Sequence, residues 1–129
     1  MKSLTILLYF TLLFLGYGCN KKTTFTKIKV ENPKINLGKI GTTDSVELQY
    51  KIVNVGSIDL KIDSVISTCD CIISKWDKNY INPNDTAKIF VVLKPKTTDS
   101  GIITKTIMFS ANTKETFNAL NVVYVANNE

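Results

Sequence analysis

Apolar residues recur at every second position along much of the chain after Lys27, which is the period of a half-buried β-strand. In residues 46–52, for example, Val, Leu, Tyr and Ile alternate with Glu, Gln and Lys. An amphipathic helix would need apolar residues three and four positions apart, and this segment lacks that spacing. The pattern predicts strands at residues 28–31, 35–40, 46–52, 58–62, 89–93, 102–109 and 117–125.

Turn-forming residues separate these segments about every ten residues. The clearest are Asn-Val-Gly-Ser at residues 54–57 and Asn-Pro-Asn-Asp at residues 82–85. Short strands at this spacing, with no helical pattern between them, predict an all-β fold. We expect an immunoglobulin-like antiparallel β-sandwich of about seven strands, with residues 31–129 as one domain. Within it, residues 89–93 and 122–125 are apolar on both faces, and we interpret them as central strands instead of a partner-binding patch.

The first 18 residues have the layout of a secretory signal peptide. Lys2 provides one positive charge, an apolar run fills residues 4–15, and small residues follow. A transmembrane helix would need roughly 20 apolar residues, and here the run stops at Gly16. We therefore expect residues 1–18 to be a lipoprotein signal peptide that is removed on export.

The sequence Leu-Gly-Tyr-Gly-Cys at residues 15–19 resembles the lipobox of bacterial lipoproteins, in which a small residue precedes a cysteine that receives a diacylglyceryl group. The leucine stands one place earlier than usual. The resemblance implies a lipid anchor on Cys19, with residues 19–30 as a Lys- and Thr-rich tether. The alternative is ordinary secretory cleavage, which would leave a soluble protein with a free thiol. By resemblance to lipoprotein sorting, Asn20 favours the periplasmic face of an outer membrane.

Two amino acids that are missing from the sequence argue against whole classes of function. The net charge is +5, but every basic residue is Lys. Without the guanidinium fork of Arg, a dedicated nucleic-acid binder is not expected. Without His there is no Ser-His-Asp or Cys-His nucleophile and no His-bearing zinc site. We therefore expect a protein that is not an enzyme, and the sequence identifies no small-molecule substrate.

Several short motifs make the chain similar to a known bacterial family. They are Asn54-Val55-Gly56, Leu60-Lys61-Ile62, Cys69-Asp70-Cys71, Pro83-Asn84-Asp85, Lys94-Pro95 and Gly101. With these, the chain resembles the Ig-like family called domain of unknown function 1573 over about residues 33–126. The resemblance implies an exported protein or lipoprotein with an Ig-like domain. In that family the cysteine motif usually reads Ser-Cys-Gly-Cys-Thr, whereas this sequence has Thr-Cys-Asp-Cys-Ile at residues 68–72.

The pair Cys69 and Cys71 allows four interpretations. In an extended strand the Cα atoms at i and i+2 lie roughly 6.5–7 Å apart, and a disulfide prefers roughly 4.4–6.8 Å, so a bridge requires a bend at Asp70. A local disulfide or dithiol without a catalytic role suits an oxidising compartment. The two sulfurs could instead bind Cu(I), aided by Met108, or exchange disulfides, although redox pairs usually read Cys-x-x-Cys. Simple burial is the fourth interpretation. Lipidation of Cys19 would leave Cys69 and Cys71 as an even pair.

The sequence therefore predicts a lipid-anchored, non-catalytic Ig-like module of the cell envelope. We expect it to contact the membrane through Cys19 and other envelope proteins through its edges and loops, without a cofactor. The alternative is a protein that binds Cu(I) or another thiophilic ion, or that carries out thiol redox chemistry, at Cys69 and Cys71.

Overall fold

Residues 24–127 are described by a computed structural model, and within this range the chain forms eight β-strands and no helix. The described residues therefore include no helix that is long and apolar enough to cross a membrane. The predicted signal peptide and Cys19 lie outside the described residues. The strands are β1 (Ile28–Glu31), β2 (Lys34–Gly41), β3 (Val46–Asn54), β4 (Ile62–Ser67), β5 (Ile72–Trp76), β6 (Thr86–Leu93), β7 (Gly101–Ala111) and β8 (Asn118–Asn127).

The eight strands form two sheets of four strands each. The first sheet has the order β1-β3-β6-β5 and is antiparallel throughout. The second has the order β2-β8-β7-β4 and is antiparallel except for the parallel pair β2 and β8. The connection between β4 and β5 crosses from an edge of one sheet to an edge of the other. This architecture is an immunoglobulin-like β-sandwich and confirms the predicted fold class.

The core consists of the inward-facing residues of both sheets. Tyr50 and Ile52 of β3 lie opposite Ile89 and Ala87 of β6, while the residues between them point outward. The hydroxyl of Tyr50 donates a hydrogen bond to the carbonyl of Asn121 in the other sheet at 2.9 Å, and burial raises the pKa of Tyr50 to about 12. Each buried side chain of this size contributes about 1.5–3 kcal/mol, so packing between the sheets dominates stability. The second sheet contributes Ile107, Phe109, Leu120, Val122 and Tyr124, each with 0% exposure.

One predicted strand is displaced along the chain, and one strand is additional. The strand expected at residues 58–62 begins only at Ile62. Before it, Leu60 forms an isolated bridge with Ile81. Leu60 is therefore buried by a contact between two loops and not by pairing within a β-sheet. The additional strand, β5, has only five residues and follows directly on the cysteine motif, which leaves too short a pattern to assign from sequence.

The strands that are apolar on both faces, β6 and β8, are central in their sheets as predicted. β6 lies between β3 and β5, and β8 lies between β2 and β7. On the outer face of β8, Val123 and Val125 are half-buried, whereas Phe90 on the outer face of β6 is 45% exposed. Both strands are therefore central in their sheets, and the outer face of β6 is still partly exposed at Phe90.

The buried side chain of Asn54 organises one end of the sandwich, which we call the N-terminal end because the chain joins the fold there. Its amide nitrogen donates to the carbonyls of Ile58 and Ile81, each at 2.9 Å. Its oxygen accepts from the hydroxyl of Thr26 at 2.7 Å and from the amide of Gly56 at 3.2 Å. Asn54 is fully buried, and the whole hydrogen-bonding capacity of its amide is used.

The segment before β1 is part of this packing. A Cβ atom at Gly56 would collide with the side chain of Thr26 and lie 2.5 Å from the backbone nitrogen of Lys27. Thr26 is buried and also forms an isolated bridge with Thr113. The sandwich therefore includes residues from Thr26 onward, which the sequence-based prediction places in the tether.

We predict that Asn54→Asp destabilises the domain by about 3 kcal/mol or more, because the carbonyls of Ile58 and Ile81 each lose one of their two donors and a carboxylate is buried among them. Urea unfolding measures this change. The matched control is Asn36→Asp, since Asn36 is exposed and its side-chain oxygen would still accept from the amide of Gly38. An equal loss in both variants would contradict the role assigned to Asn54.

Candidate functional site

The cysteine motif forms the turn between β4 and β5, at the end of the sandwich opposite Asn54, which we call the disulfide end. Cys69 and Cys71 are joined by a disulfide, and their Cα atoms lie 5.1 Å apart. This distance is shorter than an extended strand would give, because the backbone bends at Asp70. The bridge therefore closes a loop of three residues where the chain passes from one sheet to the other.

Hydrogen bonds hold this turn against both neighbouring strands. The hydroxyl of Ser67, at the end of β4, donates to the carbonyl of Cys69 at 2.8 Å. The amide of Lys94, just after β6, donates to the carbonyl of Cys71 at 2.9 Å. Cys71 is 7% exposed and belongs to the core, whereas Cys69 is half-buried. Cys71 thus lies toward the interior and Cys69 nearer the surface.

An ion pair between Asp70 and Lys96 links the turn to the loop between β6 and β7. The carboxylate and ammonium groups lie 2.6 Å apart, with side-chain exposures of 81% and 47%. The hydrogen bond and the positive charge of Lys96 lower the pKa of Asp70, and the same contact raises the pKa of Lys96. Because both groups face water, the pair contributes little to folding. The pair places one negative and one positive charge next to each other beside the disulfide.

The loop between β6 and β7 is built around a buried carboxylate, Asp99. Asp99 is 9% exposed and accepts from the amide of Lys96 at 3.0 Å. The hydroxyl of Tyr124, in β8, donates to the same carboxylate oxygen. The ammonium of Lys105, in β7, lies 3.4 Å from the other oxygen. The carboxylate therefore ties the loop to β7 and β8 of the second sheet.

Burial and hydrogen bonding act on Asp99 in opposite directions. Burial alone would raise its pKa, but the bonds from Tyr124 and the Lys96 amide, with the charge of Lys105, outweigh it and the pKa is lowered. Burial, together with the bond to Asp99, raises the pKa of Tyr124. Asp99 therefore remains charged, and the loop at the disulfide end is fixed by an ionised group.

The other residues with a predicted chemical role lie elsewhere. Met108, the suggested third copper ligand, is in β7 opposite Ile66 of β4. Cys19 is outside the described residues. Within residues 24–127 no group of three or more His, Cys, Asp or Glu side chains could hold a metal ion. Binding of Cu(I) by Cys69 and Cys71 therefore stays a prediction.

Sequence reasoning missed Asp99 and Lys96. The sequence identifies residues 95–101 as a loop, and nothing in its pattern shows that the hydroxyl of Tyr124, 25 positions later, reaches that loop. Similarly, the ion pair of Lys96 with Asp70 exists only because the two loops meet at one end of the sandwich.

Solved structures of low sequence identity share the β-sandwich fold of this chain. A protein of unknown function from Porphyromonas gingivalis W83 superposes with a TM-score of 0.70 at 15% identity, over 85% of this chain and 51% of that one. The chain thus spans about half the length of that protein. The ASH/PapD-like domain 7 of human CEP192 gives 0.64 at 11% identity, over 84% of this chain and 90% of the domain.

A family 123 glycoside hydrolase from Clostridium perfringens is also similar, with a TM-score of 0.58 at 12% identity, over 82% of this chain but 28% of the enzyme. Identities this low establish the fold alone. No curated protein sequence matches significantly. At the level of sequence, the chain belongs to the family described as protein of unknown function (DUF1573), which matches residues 28–125. This membership confirms the resemblance seen in the motifs.

We predict that Asp99→Asn lowers the unfolding free energy at neutral pH by about 2 kcal/mol, because charged hydrogen bonds are lost. The lowered pKa of Asp99 means that its contribution is present above its unfolded-state pKa, roughly 4, and is lost as the pH falls through its folded-state pKa. The difference between the wild-type protein and the variant should therefore shrink on acidification. Urea unfolding at a series of pH values between about 2.5 and 7, which include the range in which a carboxylate titrates, measures this difference.

The control is Asp59→Asn, since Asp59 is exposed in the loop before β4. Its unfolding free energy should stay close to wild type throughout. A pH-independent loss for Asp99→Asn would contradict the assignment of a stabilising charge.

Proposed function

We propose that this chain is a lipid-anchored, non-catalytic module of the bacterial cell envelope, which presents the disulfide end of its sandwich to other envelope proteins. The observation that carries the proposal is that the chain joins the fold at the end opposite the disulfide. At one end of β3, Asn54 bonds to Thr26, and at the other, Val46 lies opposite Leu93, which pairs with Ile72. The nine residues of β3 separate these ends by about 25 Å.

The lipobox-like sequence that ends in Cys19 supports the anchor. Only residues 20–25 lie between that cysteine and buried Thr26, which is part of the fold. An anchor on Cys19 would therefore hold the N-terminal end of the sandwich close to the bilayer. The disulfide end would then point away from it, into the periplasm if the membrane is the outer one.

The absence of His from the sequence, which excludes Ser-His-Asp and Cys-His nucleophiles, supports a non-catalytic role. The similar glycoside hydrolase does not argue otherwise, since the likeness extends over 28% of that enzyme. The CEP192 domain, of which 90% is covered, supports a fold that serves as one module of a larger protein. We infer that this sandwich works by binding.

The disulfide end has the features of a recognition surface. Asp70 and Lys96 present a pair of opposite charges, and the side chain of Ile102 is 77% exposed beside the β6–β7 loop. The loop is held by the buried carboxylate of Asp99, and the neighbouring turn by the disulfide. Because these contacts hold the backbone of the loop and of the turn, little backbone conformational entropy would be lost on binding a partner.

The anchor is tested by measuring the intact mass of the mature protein after expression of the full chain in a bacterium with an outer membrane. We expect a lipid-modified Cys19 and recovery in the membrane fraction. Cys19→Ser should release the protein into the soluble fraction, whereas the control Cys69→Ser/Cys71→Ser should stay in the membrane. A bare N-terminal Cys19 in the wild-type protein would refute the anchor.

A thiol redox role for Cys69 and Cys71 is the second candidate, and one observation favours it. The bridge closes a loop of three residues, which constrains the unfolded chain very little, so stabilisation alone gives a weak reason for the bond. The half-buried Cys69 is the sulfur that an external thiol could reach.

The Cys69→Ser/Cys71→Ser variant separates the two candidates. For an interaction module, we expect the unfolding free energy to fall by less than about 2 kcal/mol. A photo-crosslinker at Ile102 should then capture the same envelope proteins from the variant as from the wild-type protein. Loss of capture in the variant, together with mixed disulfides trapped on single Cys→Ser variants, would establish the redox role instead.

A further inference from the structure

Exposed apolar side chains are concentrated at the N-terminal end of the sandwich. Among residues 24–127, four of the eight exposed large hydrophobic residues lie in the segments that meet there. They are Phe25 (54% exposed), Val55 (50%), Tyr80 (63%) and Phe117 (53%). The others lie on the outer strand faces or, in the case of Ile102, at the disulfide end.

Three of these residues occupy neighbouring segments, and we call them the N-terminal patch: Phe25, Val55 and Phe117. Phe25 and Val55 line one groove, and Val55 lines the next groove together with Lys114, Glu115 and Asn118. Phe117 directly precedes Asn118 in the chain and is exposed. The Thr26 amide donates to the Asn112 carbonyl and the Val55 amide donates to the Lys27 carbonyl, each at 2.9 Å, and these two bonds join the segments.

We propose that the N-terminal patch docks directly on the lipid surface, so that the sandwich stands with this end in the membrane interface. The inference rests on the proposed anchor at Cys19. Six residue steps separate Cys19 from Phe25, and a chain of that length spans at most roughly 20 Å. The patch is therefore confined to the neighbourhood of the headgroups.

The chemistry of the patch suits a bilayer interface. Phenylalanine rings and aliphatic side chains are the groups that enter the boundary between headgroups and acyl chains. Lys27 and Lys114 are exposed and line the grooves of the patch, against one acidic neighbour, Glu115. Their charges favour anionic headgroups. The occupant we assign is accordingly an anionic lipid surface.

Tryptophan reporters test this contact in the full lipidated protein, reconstituted into phosphatidylethanolamine–phosphatidylglycerol vesicles that contain brominated acyl chains. Phe25→Trp and Phe117→Trp place a reporter in the patch, and Ile102→Trp places one at the opposite end. All three sites are more than half exposed, so none requires repacking of the core. The single native tryptophan, Trp76, supplies the same background in each variant.

We expect the lipid bromines to quench most of the fluorescence added at positions 25 and 117 and to leave that at position 102 unchanged. Full fluorescence at both patch positions would overturn the inference, and so would equal quenching at position 102. The intact mass of the protein shows independently whether Cys19 carries lipid. If Cys19 is bare, the same vesicles are added to the unlipidated protein, and quenching at positions 25 and 117 alone still supports the patch.

Discussion

The buried amide of Asn54 connects parts of the chain that no strand pairing would hold together. It bonds to Thr26 in the segment before β1, to Ile58 and Gly56 in the loop after β3, and to Ile81 in the loop before β6. A buried amide left partly unpaired would cost about as much as several of these bonds contribute, so the network is favourable only when all its members are in place. The position at which the chain joins the sandwich follows from this requirement.

That constraint gives the molecule two unlike ends. At the N-terminal end, the amide of Asn54 is satisfied internally and the exposed residues include Phe25, Val55 and Phe117. At the disulfide end, the exposed groups include the charges of Asp70 and Lys96, while Asp99 is buried and ionised beneath them. A module tethered beside Thr26 would therefore place apolar groups toward the lipid and the charges of Asp70 and Lys96 toward the aqueous side.

The fold could be predicted from the sequence because alternation of apolar residues is a direct consequence of burying one face of a strand. The prediction was most accurate for long strands such as β3 and β6, in which buried residues alternate with more exposed ones. It placed a strand at residues 58–62 because Leu60 and Ile62 are both buried, although Leu60 is buried by a loop contact with Ile81. A residue buried in a strand and a residue buried by a loop contact can show the same alternation in sequence, so the pattern could not distinguish the two.

The candidate site was predicted only in part. The need for a bend at Asp70 follows from the spacing of Cys69 and Cys71, and the structure has that bend. The partners of the turn could not be foreseen, since Lys96 and Asp99 reach it through the packing of two sheets. The same holds for Asn54, which reads in sequence as an ordinary turn residue.

The central claim is that the sandwich stands on the membrane at its N-terminal end, with the disulfide turn away from the lipid. Neutron reflectometry of the lipidated protein on a supported anionic bilayer tests it most directly. An upright domain should give a protein layer as thick as the strands are long, starting at the headgroups without an intervening water layer. A thin layer, corresponding to sheets that lie flat on the surface, or a layer separated from the headgroups by water, would contradict the account.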